Sequence, residues 1–223
     1  MTGLSMLIVA SAAFVGTHFL MSHPLRPAMV AGLGEKGFAL AYTLVSLLTF
    51  GWMIWAFPAA SAEAPAPLWN AGQVGWIVAT LLMWLGSVLF MGSLRRNPAF
   101  PRPGQRIEKI DEPNGVYAIT RHPMMWGFAL WALVHVIVNP TEASLVLSVA
   151  IAFLALVGAA LQDRKKEMLL GDLWGEWKAK TSFVPYGKGL KSADAFALVT
   201  GTLVWLGATW VHNPPVGIWA FIG

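Results

Sequence analysis

There is no cysteine among the 223 residues of this chain, which excludes disulfides, thiolate metal sites and cysteine nucleophiles. Charge is scarce as well. Asp, Glu, Lys and Arg together make up 12% of the residues, against about 25% in an ordinary soluble domain. The first 21 residues hold no Lys or Arg, so the opening apolar run lacks the basic head of a cleavable signal peptide and is expected to be a retained span. No HExxH segment and no cluster of carboxylates is present.

Apolar residues are abundant instead. They form 57% of the chain, and the mean hydropathy is +0.61. Six runs stand out, at roughly 3–21, 38–57, 72–93, 123–139, 144–161 and 195–212. A bilayer span needs about 20 mostly apolar residues. The fourth and fifth runs are short and close together, which predicts a tight hairpin or helices that stop short of one interface. The expected fold is all-α: a polytopic integral membrane helical bundle of about six transmembrane helices, in one domain over 1–223.

Basic residues are distributed unevenly. The loops after the first, third and fifth runs carry two (Arg26, Lys36), six (Arg95, Arg96, Arg102, Arg106, Lys109, Arg121) and seven (Arg164, Lys165, Lys166, Lys178, Lys180, Lys188, Lys191). These are all the Lys and Arg of the chain; the opposite side has only Glu63 and Glu142. The positive-inside rule then predicts a multi-pass protein of the inner (cytoplasmic) membrane, with both termini outside. The isoelectric point near 9.6 accordingly reflects contact with the lipid bilayer and its anionic headgroups, and no nucleic-acid partner is expected.

Between the runs, "PAASAEAPAP" (58–67) predicts an extended external loop. Residues 94–121 form a long connector, with a turn signal at Pro113-Asn114-Gly115. Residues 163–187 predict a polar amphipathic helix with Leu169, Leu173, Trp174 and Trp177 on one side. Such a helix either lies on the headgroups or acts as a lid over a site open to the cytoplasm.

Of the five histidines, His18 and His135 fall inside apolar runs, where an ionisable residue is a functional-site candidate by default. Neutral imidazole is a good haem-iron ligand, and two can clamp a porphyrin between helices. At 1.5 Å per residue, His18 lies roughly 22 Å in from the outer face and His135 roughly 18 Å from the inner one. In a core about 30 Å thick their depths differ by roughly 10 Å. Arg121-His122-Pro123 suits a helix start, with proline at the first helical position. The N–H groups exposed there form an anion site that Arg121 would reinforce, and Gly127 permits a close approach by a neighbouring helix or ligand.

Segments 16–57 ("GTHFLMSHPLRPAMVAGLGEKGFALAYTLVSLLTFGWMIWAF"), 117–140 ("YAITRHPMMWGFALWALVHVIVNP") and 156–167 ("LVGAALQDRKKE") resemble the NnrU family of bacterial membrane proteins associated with nitrite and nitric oxide reduction. The resemblance covers most of the chain and extends to the plant zeta-carotene isomerase, a haem b enzyme acting on a carotenoid. It implies His18 and His135 as metal (haem iron) ligands; the position of that enzyme's alternative cysteine ligand is Ala132 here. A more distant similarity links Arg121-His122-Pro123 and the later "EMLLGDLWGEWKAKTSFVPY" to isoprenylcysteine and phospholipid methyltransferases. It implies an S-adenosylmethionine site using Arg121, His122 and Glu167, although Met125 replaces the usual tyrosine and Lys166-Glu167 the usual paired glutamates.

Three functions are thus expected alternatives. One is a haem b protein of denitrification, serving nitrite and nitric oxide metabolism or an isomerase-like reaction on a hydrophobic small molecule. The second is a membrane methyltransferase with His122 and Arg121 as catalytic residues. The third is a non-catalytic assembly partner of a membrane reductase.

Overall fold

The structure, a computed structural model, describes residues 2–95, 110 and 112–222. The described residues form helices and no strand: α1 (Gly3–Ser22), α2 (Arg26–Glu63), α3 (Gly72–Ser93), α4 (Val116–Ile119), α5 (Pro123–Val138), α6 (Glu142–Leu170), α7 (Asp172–Lys180), α8 (Ala195–Trp210) and α9 (Trp219–Ile222). The helix bias follows from the solvent: in hydrocarbon every backbone N–H and C=O must be bonded within its own segment. Local signals set the ends. Thr2, Thr141 and Asp194 side chains accept from the N–H groups of Ser5, Ser144 and Ala197 at 3.1, 3.2 and 2.9 Å, filling donors that a helix start leaves open.

Four helices (α1, α2, α3 and α6) are long and apolar enough to cross a membrane. The sequence predicts about six spans. The remaining two apolar helices, α5 and α8, have 16 residues each, or about 24 Å, short of the roughly 30 Å hydrocarbon core. Residues 96–109 of the long connector, including Arg96, Arg102, Arg106 and Lys109, lie outside the described residues.

The chain forms two compact units. In the first (residues 1–71 and 135–154), α1 packs against α2. A Cβ on Gly3 would sit 2.7 Å from the carbonyl carbon of Ala59, so the two backbones touch there, the close approach that small residues permit between membrane helices. Glu63 turns its carboxylate onto the start of α1 and accepts from the N–H groups of Gly3 and of Leu4, the latter at 3.0 Å. This corrects the expected extended loop at 58–67: the chain stays helical through Pro58 to Glu63. Ala56 and Ala60 are buried against α1, and alanine is the best helix former, which together outweigh one proline. Near its other end α2 is broken at Gly34, with φ +68°, a conformation that glycine adopts without steric cost. On another side of α1, Ile8, Ser11, Ala12 and Val15 face Leu145, Val149 and Phe153 of α6 across an open apolar groove of about 470 Å³.

In the second unit (residues 72–134 and 155–223), α3 packs on α8. A Cβ on Gly201 would lie 2.5 Å from Val88 Cα. Gly201→Ala is therefore expected to force the helices apart and to cost about 1–3 kcal/mol, the usual penalty of overpacking. Equilibrium unfolding in detergent checks this; an unchanged midpoint would mean that α8 can shift freely. Gly127 of α5 approaches Gly86 of α3 in the same way, its Cβ position 3.0 Å from the Gly86 carbonyl oxygen.

The predicted amphipathic helix at 163–187 is also corrected. Gly171 adopts φ +51° and divides the segment into the end of α6 and a separate α7. Trp174 and Trp177 of α7 enter the core with Val88, Leu89, Tyr117, Ile119 and Leu130, while Leu169 on the α6 side of the break is exposed. The sequence places all three on one face of a single helix; the glycine reorients the face at mid-length. Burial pushes the Tyr117 phenol above its usual pKa range, and its hydroxyl donates to the Ser93 carbonyl at 3.2 Å.

Candidate functional site

Each unit holds one group of candidate residues. In the first, His18 lies on α1, half-buried, one turn from the end at Ser22. Its Nδ1 sits 2.9 Å from the carbonyl oxygen of Phe14. That oxygen can only accept, so the proton belongs on Nδ1 and the lone pair on Nε2. A histidine anchored through one nitrogen to a backbone carbonyl is the arrangement that orients an imidazole for a metal at the other. Aromatic rings surround it. Phe14 meets His18 at 4.5 Å and Tyr42 meets it edge-on at 5.3 Å. Phe38 follows Tyr42 at 5.9 Å, and the Arg26 guanidinium lies 5.1 Å over the Phe38 ring.

His135 occupies the last turn of α5, and its carbonyl accepts from Asn139 N at 2.9 Å. Phe19, beside His18, meets Phe153 at 6.0 Å, and Phe153 lies 12 residues along α6 from Thr141, about 18 Å. His135 stands three residues from the end of α5, just across the short Asn139–Thr141 turn. Counted along the helices at 1.5 Å per residue, the two imidazoles differ in depth by roughly 10 Å. Ala132, where the resemblance puts a cysteine, is buried. Of the other histidines, His23 closes the end of α1, its N–H donating to the Phe19 carbonyl. His212 is exposed beyond α8, with Nδ1 2.7 Å from the Ala208 carbonyl. Among the described residues no three His, Asp or Glu side chains converge to hold a bare metal ion.

In the second unit, the dipeptide before Pro123 converges on a residue that the sequence did not single out. Arg121 Nε and Nη2 donate to Asp163 Oδ2 at 2.8 and 2.6 Å, and His122 Nε2 donates to Oδ1 at 2.8 Å. The side chains of Arg121 and Asp163 are each 10% exposed and that of His122 4%. A buried carboxylate thus faces two donor groups and has both oxygens occupied, the condition under which buried charge is tolerated.

A strap formed by residues 182–186 fixes the other side of this dipeptide. Arg121 N donates to the Ser182 carbonyl (2.9 Å), Thr120 Oγ1 and Trp126 Nε1 both donate to the Phe183 carbonyl (2.7 Å each), and Tyr186 N donates to the Ile119 carbonyl (3.0 Å). The Phe183 ring packs 5.3 Å from His122 and 5.5 Å from the Arg121 guanidinium.

The expected anion site at the start of α5 is accordingly served by an internal carboxylate. Arg121 and His122 are brought together, but Glu167 is not with them; it pairs with Lys178 at 3.2 Å in an exposed position. A sequence signal for Asp163 does exist. It is the first acidic residue after the fifth apolar run, about as far beyond the 139–141 turn as Arg121 is before it.

The family model described as NnrU protein matches residues 6–220. Comparison with curated proteins gave no match, and comparison with solved structures gave none either.

Proposed function

Because the chain belongs to the NnrU family, we propose that it is an inner-membrane haem b protein of nitrite and nitric oxide metabolism, with His18 as the iron ligand. The observation that carries this reading is the Phe14 carbonyl on Nδ1, which leaves the lone pair on Nε2 of a half-buried histidine that packs against two aromatic rings. The residues at His18 fit a porphyrin held on one side: an oriented imidazole, apolar rings beside it, and a cation at the edge. A haem held there would supply an iron with one open position, suited to a diatomic ligand or to electron transfer. The roughly 10 Å difference in depth counted from helix rise favours His18 over a clamp closed by both histidines. The distribution of basic residues supports a site on the cytoplasmic side, because His18 lies one turn from the end of α1 and Arg26 and Lys36 follow in the first part of α2.

The optical spectrum of the purified protein tests the proposal. A Soret band is expected after expression with ample haem. His18→Ala is expected to abolish it and His135→Ala to leave it in place. A wild-type protein without the band, or a band lost only in His135→Ala, overturns the assignment.

A further inference from the structure

The row of rings that begins at His18 ends at a charge. Tyr42 follows His18, Phe38 follows Tyr42, and Arg26 covers Phe38. Arg26 belongs to the short leg of α2 ahead of the Gly34 break, while Glu35, Phe38 and Tyr42 belong to the long leg. Across the break, Arg26 Nη2 donates to both carboxylate oxygens of Glu35, at 2.9 and 3.2 Å. The Glu35 side chain is 64% exposed and that of Arg26 32%. A pair so exposed contributes little to stability, so the carboxylate can leave at small cost. The guanidinium cannot leave as readily, because its stacking on Phe38 holds it in place.

This order matches the shape of one guest. A haem is a flat apolar disc, bound through its centre and carrying two carboxylates on one edge. From the imidazole outward it needs apolar ring contacts and then a cation at the water boundary, which is the sequence His18, Tyr42, Phe38, Arg26. Resting on the haem reading above, we propose that Arg26 binds a propionate of the porphyrin and that Glu35 occupies the guanidinium when no haem is present. Arginine suits the role because its planar fork pairs with a carboxylate through parallel hydrogen bonds. The Gly34 break lets the short leg adjust as the partner changes, since a glycine with positive φ tolerates rotation that other residues resist.

The test uses the full-length protein from haem-limited cells, in nanodiscs, titrated with haemin and separately with haemin dimethyl ester, with the Soret band as the readout. The ester has the same disc and iron but no carboxylates. The wild-type protein is expected to bind haemin more tightly than the ester. Arg26→Gln is expected to weaken haemin binding about tenfold, the effect of losing roughly one charge-assisted hydrogen bond, and to leave the ester unaffected, so that discrimination collapses. Glu35→Gln, which removes the competing charge, is expected to bind haemin at least as well as wild type. If Arg26→Gln weakens both ligands equally, Arg26 only shapes the fold; if it weakens neither, it does not meet the porphyrin. Either result overturns the proposal. Failure of the haem reading looks different: the wild-type protein gives no band with either ligand, or His18→Ala keeps the band, and the proposal then falls with it.

Discussion

Replacing Asp163 with alanine is expected to cost about 3–5 kcal/mol of stability, the range found when one partner of a buried ion pair is removed. The size follows from what is left behind. Arg121 and His122 lose the acceptor that both share, at side-chain exposures of 10% and 4%, and no other side chain hydrogen-bonds either side chain among the described residues. Asp163→Asn should cost less, because the amide oxygen still accepts one of the bonds while its NH₂ faces a donor. Equilibrium unfolding in detergent, followed by tryptophan fluorescence, gives the ranking wild type, then Asn, then Ala. Hydrogen exchange adds a local readout: protection of residues 119–126 should fall in both variants, because that stretch is held by the same cluster and by the strap. A loss under about 1 kcal/mol for Asp163→Ala would show that water reaches the two donor groups.

Trp174→Ala is expected to be of comparable size, about 3–5 kcal/mol, as for other large-to-small changes in a packed core. Trp174→Phe should cost much less, about 1–2 kcal/mol. The side chain is fully buried, so alanine leaves a large void. Its indole nitrogen, however, makes no hydrogen bond among the described residues, and phenylalanine abandons only volume. If the two variants prove equally damaging, the indole N–H must have a partner after all, for a lost buried bond adds its own penalty. The same contrast applies at Trp177, also buried and unbonded at nitrogen.

The membrane character and the helix positions were legible because hydropathy is a running sum over many residues, which one exception cannot overturn. The turn signal at Pro113-Asn114-Gly115 was legible for the opposite reason: it is local, and Gly115 does take φ +51° just before α4. What the sequence concealed depended on distant partners. Helix α2 continues through Pro58 because Gly3 and the start of α1 need Ala59, Ala60 and Glu63 there, some 60 residues away. Gly171 gives no sign in the sequence that it interrupts a helix, whereas Gly175, four residues on, is helical. Asp163 was hidden by its company, since four of the next four residues are charged and the burial of one carboxylate among them is decided by Arg121 and His122. At His18 the residue was legible and its orientation was not, because the Nδ1 contact depends on a rotamer.

Apart from the packing of the Phe183 ring, the strap at 182–186 offers only main-chain atoms as hydrogen-bond partners to the segment it holds: two carbonyl oxygens and one amide nitrogen. The side chains that complete those bonds, Thr120 and Trp126, are on the other partner. The path of the chain, not the identity of its residues, therefore specifies these hydrogen bonds from the strap's side. Mutational scanning should find Ser182 and Val184 permissive while Thr120 and Trp126 tolerate few replacements, an asymmetry between two segments that share the same bonds.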